Sequence, residues 1–509
     1  MDRIHKNQKI IVYLVLIFVL GLVLRVGFML TLKSVWLDEA FVVLTSRSSW
    51  IDLLKGNYWD FPSHPFLPYL IVKLWSYVSL SERWLRIPYI IASLGTIIVT
   101  YFLALELFGR KKLALIAAFL LAISTYSVRF AIEIKFYSIS LLFQTLSLLY
   151  FIKIIKHFRH EVRFHVPTLF VLFSFLALVT DYGMFWLLIV YLLVSFIELA
   201  RLKRSKQLSE VLPLISLICA LAVFDLFFPW LVKFVNSLSI AFDLRTYYVF
   251  KPNLSDIIKT LLGYLTYFKN AYDYYSAPYY FYSIVIKTIN AIYIYGSICL
   301  GVIIIIYQII RNIMNRRVTN YLLSFVIFVP LLLSFIISQF KESIFVHYNF
   351  MIVQIGLLLV LADLAMRSYK LFYLLIVLYL AVNSYSYFFM MKGSWDDWRQ
   401  IYGYINSQQL TQNSAVIFYP DYYSEIISYY SLVKKEILSF QIIEIPFDNN
   451  LLYVKTLLDE LNKYDKICYL SYMPEGDVMD KEIVLYLSNM RSVAGELLLT
   501  SDHKLICYF

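Results

Sequence analysis

The sequence predicts a polytopic α-helical membrane protein with about eleven transmembrane helices and a small C-terminal α/β domain outside the cytoplasm. Of the 509 residues, 61% are apolar and only 16% are charged, whereas roughly 25% of residues are charged in soluble domains. Apolar stretches long enough to cross a hydrocarbon core recur between residues 10 and 391. After Trp395 the composition is mixed, and strand-like runs alternate with helical patterns.

The predicted spans follow the apolar stretches in chain order. Residues 10–32 form the first span, and Arg25 is its one charged residue. Because Arg25 lies near the outer end of this span, we expect its guanidinium to extend to the interface. The other spans are predicted near residues 87–108, 113–130, 136–155, 166–181, 183–200, 210–230, 281–310, 321–339, 349–366 and 369–391.

Basic residues between the spans set the predicted orientation. Short basic loops mark the cytoplasmic side, so the N-terminus is predicted to be cytoplasmic. A span at residues 66–80 would invert every later basic loop, so this stretch is predicted to lie flat in the outer interface. Topology accounts for the net charge of +11, which argues against nucleic acid as a partner. The basic clusters are Arg110 to Lys112, 153–163, 201–206, 311–317, and Arg367 with Lys370.

The sequence divides into a transmembrane domain, residues 1–392, and an α/β domain, residues 393–509. An odd number of spans after a cytoplasmic N-terminus places the α/β domain outside the cytoplasm. Cys468 and Cys507 lie on two of its strands and are either a disulfide pair or two buried thiols. Its predicted strands and helix lie at 415–419, 466–470 and 504–508, and near 424–432.

Ionisable side chains collect in the predicted outer loops. Asp38 and Glu39 follow the first span, although such a pair is also typical of a helix cap. Transfer of a sugar from a lipid phosphate needs a carboxylate base for the acceptor hydroxyl. It also needs cations or hydrogen-bond donors for the departing phosphate. The acidic pair meets the first need, and the candidates for the second are His64, Lys135, Arg129 and Arg86.

Several motifs in chain order resemble the protein O-mannosyltransferase family and its bacterial and archaeal relatives, including the lipid A aminoarabinose transferases. The resemblance covers most of the chain and is most specific before residue 230. Its motifs are Asp38-Glu39, His64-Pro65, Arg86-Ile87-Pro88, Phe108-Gly109-Arg110, Glu133-Ile134-Lys135-Phe136-Tyr137, Pro229-Trp230 and Asp397-Trp398-Arg399.

The resemblance implies the GT-C fold and inverting transfer of a sugar from a polyprenyl-phosphate donor on the outer face of the membrane. The acceptor would be a lipid, a glycan or a protein. Asp38 matches the family's catalytic acidic position, and His64 falls in its phosphate-contacting motif. Supporting roles are implied for Glu133, Tyr137, Asp181 and His347.

The chain departs from this family at three positions. Asp181 stands where relatives often have His, and Lys135 and His347 stand where Arg is usual. The charge at the last position depends on protonation of the imidazole. The Trp-Trp-Asp-Tyr-Gly signature of oligosaccharyltransferases does not occur in the sequence, which argues against transfer of whole glycans to asparagine.

Two other functions fit part of the pattern: a transporter or flippase of lipid-linked sugars, and a non-catalytic assembly subunit. A transporter would place ionisable residues near the bilayer midplane, beside broken helices, whereas here they lie in outer loops. No metal-binding motif is recognisable, and a divalent ion would have to be held by the loop carboxylates and His64. The sequence does not distinguish a hexose from a pentose as the sugar.

Overall fold

The computed structural model describes residues 2–32, 34–55, 65–157, 165–201, 215, 217–221, 251–266, 284–314, 318–340, 343–392, 397–419, 423–445, 460–472, 478–498 and 503–508. The helices before residue 393 are α1 Asp2–Thr31, α2 Leu37–Thr45, α3 Trp50–Lys55, α4 Leu67–Ser76, α5 Glu82–Phe108, α6 Lys111–Ile123, α7 Thr125–Phe130, α8 Tyr137–His157, α9 His165–Leu178, α10 Met184–Arg201, α11 Leu254–Thr266, α12 Ile284–Met314, α13 Val318–Phe340, α14 Ile352–Ala365 and α15 Tyr369–Lys392.

The helices agree with a polytopic membrane protein. Among the described residues, 5 helices are long and apolar enough to cross a membrane: Gln8–Thr31, Glu82–Phe108, Tyr137–Lys156, Tyr321–Phe340 and Tyr369–Phe388. Shorter apolar helices are His165–Leu178, Met184–Ala200, Gly296–Arg311 and Ile352–Ala365. The predicted span at 210–230 lies mostly outside the described residues, and the total of eleven stays a prediction.

The predicted span at 113–130 is not one continuous helix, because the helix breaks at Ser124. The backbone of Ser124 is extended, with φ −60° and ψ 117°, and its hydroxyl caps α7 by accepting from the Ser127 amide. Asn383 Oδ1 accepts the amide of Thr125 at 2.8 Å, and Gln354 Nε2 donates to the Ser124 hydroxyl at 2.6 Å. Side chains from α14 and α15 therefore satisfy the polar groups that the break frees.

The prediction that Arg25 extends to the interface is wrong. Arg25 is fully buried between α1, α5 and the α6–α7 junction. Its Nε donates to the hydroxyl of Ser93 and its Nη2 to the hydroxyl of Ser127, each at 2.9 Å, while Nη1 donates to the carbonyls of Gly21 and Ala122. Because neighbouring helices present enough oxygen atoms, the guanidinium is satisfied without reaching water.

The C-terminal residues form a mixed five-stranded sheet in the order β2-β1-β3-β5-β4. The two parallel pairs are β1 with β2 and β1 with β3, and β5 runs antiparallel to both β3 and β4. Cys468 faces Cys507 across β3 and β5, and the two form a disulfide. The elements are α16 Trp398–Ser407, β1 Ser414–Tyr419, α17 Ser424–Lys434, β2 Gln441–Glu444, β3 Lys466–Tyr472, α18 Val478–Met490, β4 Val493–Leu498 and β5 His503–Tyr508.

The predicted α/β domain shares a hydrophobic core with the loop that follows α1. Helix α17 packs against α2, the helix that carries Asp38 and Glu39. One apolar cluster joins α2, α4 and the start of α5 to α16, α17 and one face of the sheet. Its buried members include Ala40, Val43, Tyr69, Val72, Tyr89, Trp398, Ile401, Tyr429, Tyr430, Phe418 and Cys468.

Candidate functional site

Asp38 and Lys135 form an ion pair between two outer loops of the predicted topology. Asp38 lies in the first turn of α2, where a carboxylate is favoured by the helix dipole. Lys135 lies in the turn between α7 and α8, and its Nζ contacts Asp38 Oδ2. The Asp38 side chain is 39% exposed and that of Lys135 is 9% exposed. One carboxylate is thus held by a buried cation and open on its other side.

Glu39 joins α2 to the turn between α7 and α8 through hydrogen bonds. Its Oε2 accepts from Arg86 Nη2 at 2.6 Å and from the Trp36 amide at 3.2 Å. Its Oε1 accepts the amide of Ile134 at 2.9 Å. Glu39 is 1% exposed, so this carboxylate is fully engaged by the protein. Since Asp38 precedes Glu39 and Lys135 follows Ile134, the bridge sets the distance between the members of the Asp38–Lys135 pair.

Lys135 is surrounded by aromatic rings. Its Nζ lies 5.0 Å from the centroid of Trp36 and 5.6 Å from that of Tyr137, and it donates to the Tyr137 hydroxyl at 3.4 Å. Burial alone would lower the pKa of Lys135, but Asp38, Tyr348 and Glu133 together raise it above its usual value. Lys135 is therefore a permanent cation that faces aromatic surfaces, a setting that strengthens its electrostatic effect.

Arg129 and Glu133 form a second buried ion pair beside the first. Burial raises the pKa of Glu133, although Arg129 and Lys135 oppose that shift. Buried polar atoms without a hydrogen-bond partner among the described residues include Glu133 Oε2 and Trp36 Nε1. One is an acceptor and the other a donor, so the site offers both to a polar ligand.

His347 is held by rings and lies next to Tyr348. Tyr126 and Phe130 lie 6.1 and 5.9 Å from its ring, and the hydroxyl of Tyr264 donates to its carbonyl oxygen. Burial and then the charge of Arg129 lower the pKa of His347 to about 4. The imidazole is therefore neutral at physiological pH and does not supply the cation that the resemblance places at this position.

Asp181 lies close to the turn that contains His347. Its Oδ2 accepts from the hydroxyl of Ser140 at 3.2 Å, and Gln144 supports that hydroxyl at 2.8 Å. A Cβ on Gly183 would lie 2.5 Å from the Asn349 carbonyl oxygen and 2.6 Å from Asp181 Oδ2. Glycine at this position allows the loop of Asp181 to approach the turn of His347.

The structure brings most of the predicted site residues together. His64 and Arg86 are the two exceptions. His64 lies outside the described residues. Arg86, a predicted phosphate ligand, is buried against Glu39 and the Ser34 carbonyl oxygen. Sequence reasoning gave no site role to Trp36, Tyr126, Tyr264 and Tyr348, because aromatic residues make up 18% of this chain. Among the described residues, no group of three His, Cys, Asp or Glu side chains is arranged to hold a metal ion.

No family model matches the chain, and no curated protein sequence matches it. Solved structures do match its fold. The archaeal oligosaccharyltransferase AglB from Archaeoglobus fulgidus, in complex with an inhibitory peptide and a dolichol-phosphate, aligns with a TM-score of 0.53 and 14% identity. That alignment covers 91% of this chain and 69% of AglB. The apo form of the Archaeoglobus fulgidus oligosaccharyltransferase aligns with a TM-score of 0.53 and 13% identity over 90% of this chain and 69% of the other.

The transferase ArnT from Cupriavidus metallidurans, bound to undecaprenyl phosphate, aligns over 97% of both chains with a TM-score of 0.56 and 11% identity. These proteins are GT-C membrane glycosyltransferases. The resemblance that the sequence motifs indicated is confirmed for the fold alone: this chain shares its fold with these solved structures.

Proposed function

We propose that this protein is an inverting glycosyltransferase that moves a sugar from a polyprenyl-phosphate donor to a lipid, glycan or protein acceptor at the outer face of the membrane. The observation that carries the proposal is the Asp38–Lys135 pair, an accessible carboxylate beside a buried cation. Transfer from a lipid phosphate needs both groups within one site. The fold shared with polyprenyl-phosphate-bound ArnT supports this reading.

In the proposed mechanism, Asp38 accepts the proton of the acceptor hydroxyl as the oxygen attacks the anomeric carbon. The bond from that carbon to the phosphate oxygen breaks, and the phosphate leaves with the electron pair. Lys135 stabilises the charge on the departing phosphate, in surroundings of low polarity where a cation acts strongly. The unpaired atoms Trp36 Nε1 and Glu133 Oε2 orient hydroxyl groups of the sugar.

Replacement of Lys135 by Ala is expected to weaken use of the donor, because a charge-assisted contact to the leaving phosphate is lost. Such a contact is worth roughly 1.5–3 kcal/mol, or about a tenfold to hundredfold effect. The measurement is turnover of labelled polyprenyl-phosphate hexoses and pentoses in detergent, with the label followed into lipid, glycan and protein fractions of host membranes. A matched control is Lys259→Ala, which removes an exposed lysine paired with Asp256 at 2.9 Å.

Unchanged kinetics in Lys135→Ala would remove Lys135 from the mechanism. If the wild-type protein moves labelled donor across liposomes and transfers no sugar, the protein is a flippase and the proposed activity is wrong.

We also propose that the N-terminus is cytoplasmic and the C-terminal domain extracytoplasmic. The disulfide between Cys468 and Cys507 supports this, because structural disulfides are rare in the cytosol. We expect cysteines introduced at Lys112 and Arg367 to react with an impermeant maleimide only in permeabilised cells, and one at Glu436 to react in intact cells. The reverse labelling pattern would overturn the proposed orientation.

A further inference from the structure

Glu82 connects the start of α5 to the C-terminal domain. Its Oε1 accepts from the hydroxyl of Tyr430 at 2.6 Å, and its Oε2 pairs with Arg399. The Glu82 side chain is only 11% exposed. Next to it, the hydroxyl of Tyr429 donates to the Leu80 carbonyl oxygen at 3.1 Å. We call this group, Glu82 with Tyr430 and Arg399, the Glu82 clamp.

A second connection runs through Ser34 to the site itself. The hydroxyl of Ser34 accepts from the amide of Trp398, the first residue of α16, at 3.2 Å. The Ser34 carbonyl oxygen accepts from Arg86 at 3.2 Å, and Arg86 in turn pairs with Glu39. A continuous series of hydrogen bonds thus leads from α16 to the carboxylate that bridges α2 and the loop of Lys135.

Both connections include residues of the shared apolar core, Tyr430 in one and Trp398 in the other, and in this core α17 packs on α2. Helix α2 has 9 residues, and isolated helices of this length are unstable in water. Its position therefore depends on what it packs against. In this structure α17 of the C-terminal domain packs against α2, and so does α4.

We propose that the C-terminal domain is a positioning element for the Asp38–Lys135 pair, and that the Glu82 clamp transmits its position to α2. Tyr430 and Arg399 are positioning residues, since they act through Glu82, α5 and Arg86 on the carboxylates of α2. The kinetic part of this proposal rests on the proposed glycosyltransferase activity, and its structural part does not.

The test compares Tyr430→Phe and the double variant Tyr430→Phe/Arg399→Gln with the wild-type protein. Loss of the clamp should lower kcat by about tenfold to a hundredfold, because small displacements of a catalytic group have large effects on rate. The donor KM should change by less than about threefold, since none of the substituted residues contacts the donor. The matched control is Tyr402→Phe, which removes a hydroxyl bonded to Glu436 at 2.7 Å within the C-terminal domain. This control should keep the wild-type kcat.

A third variant separates positioning from stability. Adding Glu82→Gln to the double variant removes a carboxylate that has lost both partners of the clamp. We expect the melting temperature to recover while kcat stays low. Recovery of kcat together with the melting temperature would overturn the proposal, because the clamp would then act through stability alone.

Hydrogen exchange provides a measurement that needs no activity. We expect amides of residues 34–45 and 131–136 to exchange faster in the double variant than in Tyr402→Phe. Equal exchange in the two variants would contradict the coupling, even if transfer is observed. Faster exchange in a protein that transfers no sugar would support the coupling and refute the proposed activity.

Discussion

Asp38→Asn is expected to lower the rate of sugar transfer by roughly 10²–10⁴-fold, the usual contribution of a general base. Asn keeps the size and hydrogen-bonding ability of the side chain but cannot accept the proton of the acceptor hydroxyl. Because the Asp38 side chain is 39% exposed and the amide oxygen of Asn can still accept from Lys135 Nζ, the substitution should cost less stability than the loss of a fully buried pair. Donor binding should persist, since Lys135 is still present. Single-turnover transfer and equilibrium donor binding, measured on the purified protein in detergent, check both expectations.

Asp52→Asn is a suitable control for this variant. Asp52 is also a carboxylate near the start of a helix in the loop that follows α1, and it accepts from the Ser49 hydroxyl at 2.5 Å. The Asp52→Asn variant should transfer sugar at the wild-type rate. If Asp38→Asn keeps most of the activity, Asp38 is not the base, and the Asp38–Lys135 pair serves only to join the two loops.

Glu39→Gln is expected to act on stability, in contrast to Asp38→Asn. The substitution leaves Arg86, which is 1% exposed, as a buried cation without the carboxylate that neutralises it. Removing one member of a buried ion pair typically costs about 3–5 kcal/mol. The expected result is a large loss of folded protein in a denaturant titration in detergent. Turnover per remaining folded molecule should fall less than in Asp38→Asn.

The paired substitution Glu39→Leu/Arg86→Met tests whether the unneutralised charge of Arg86 causes the loss of stability. Replacing both charges with apolar groups of similar size is often close to neutral for stability, so this variant should recover much of the loss. Removing the partly exposed Lys259–Asp256 pair should cost less than about 1 kcal/mol. If Glu39→Gln unfolds like the wild-type protein and instead abolishes turnover, Glu39 is the catalytic carboxylate.

The sequence by itself determined the class of fold and identified charged residues that the structure brings together. Apolar length is a local property, so it located the apolar helices. The strand at 415–419 and the helix near 424–432 were likewise readable from short-range patterns, and they correspond to Ser414–Tyr419 and Ser424–Lys434. The motif around Lys135 and the acidic pair at Asp38 were recognisable because their residue types suit the proposed chemistry.

Only the tertiary structure decided what each charged group contacts. Adjacent residues Asp38 and Glu39 look equivalent in the sequence, yet one is accessible and the other is bonded to Arg86 and the Ile134 amide. The break at Ser124 depends on Gln354 and Asn383, which lie more than two hundred residues away in the chain. Burial of Arg25 depends on oxygen atoms from α5 and the α6–α7 junction. Local patterns report hydrophobicity and helical period, whereas the partner of a buried polar group is set by which distant segments the fold brings within hydrogen-bonding distance.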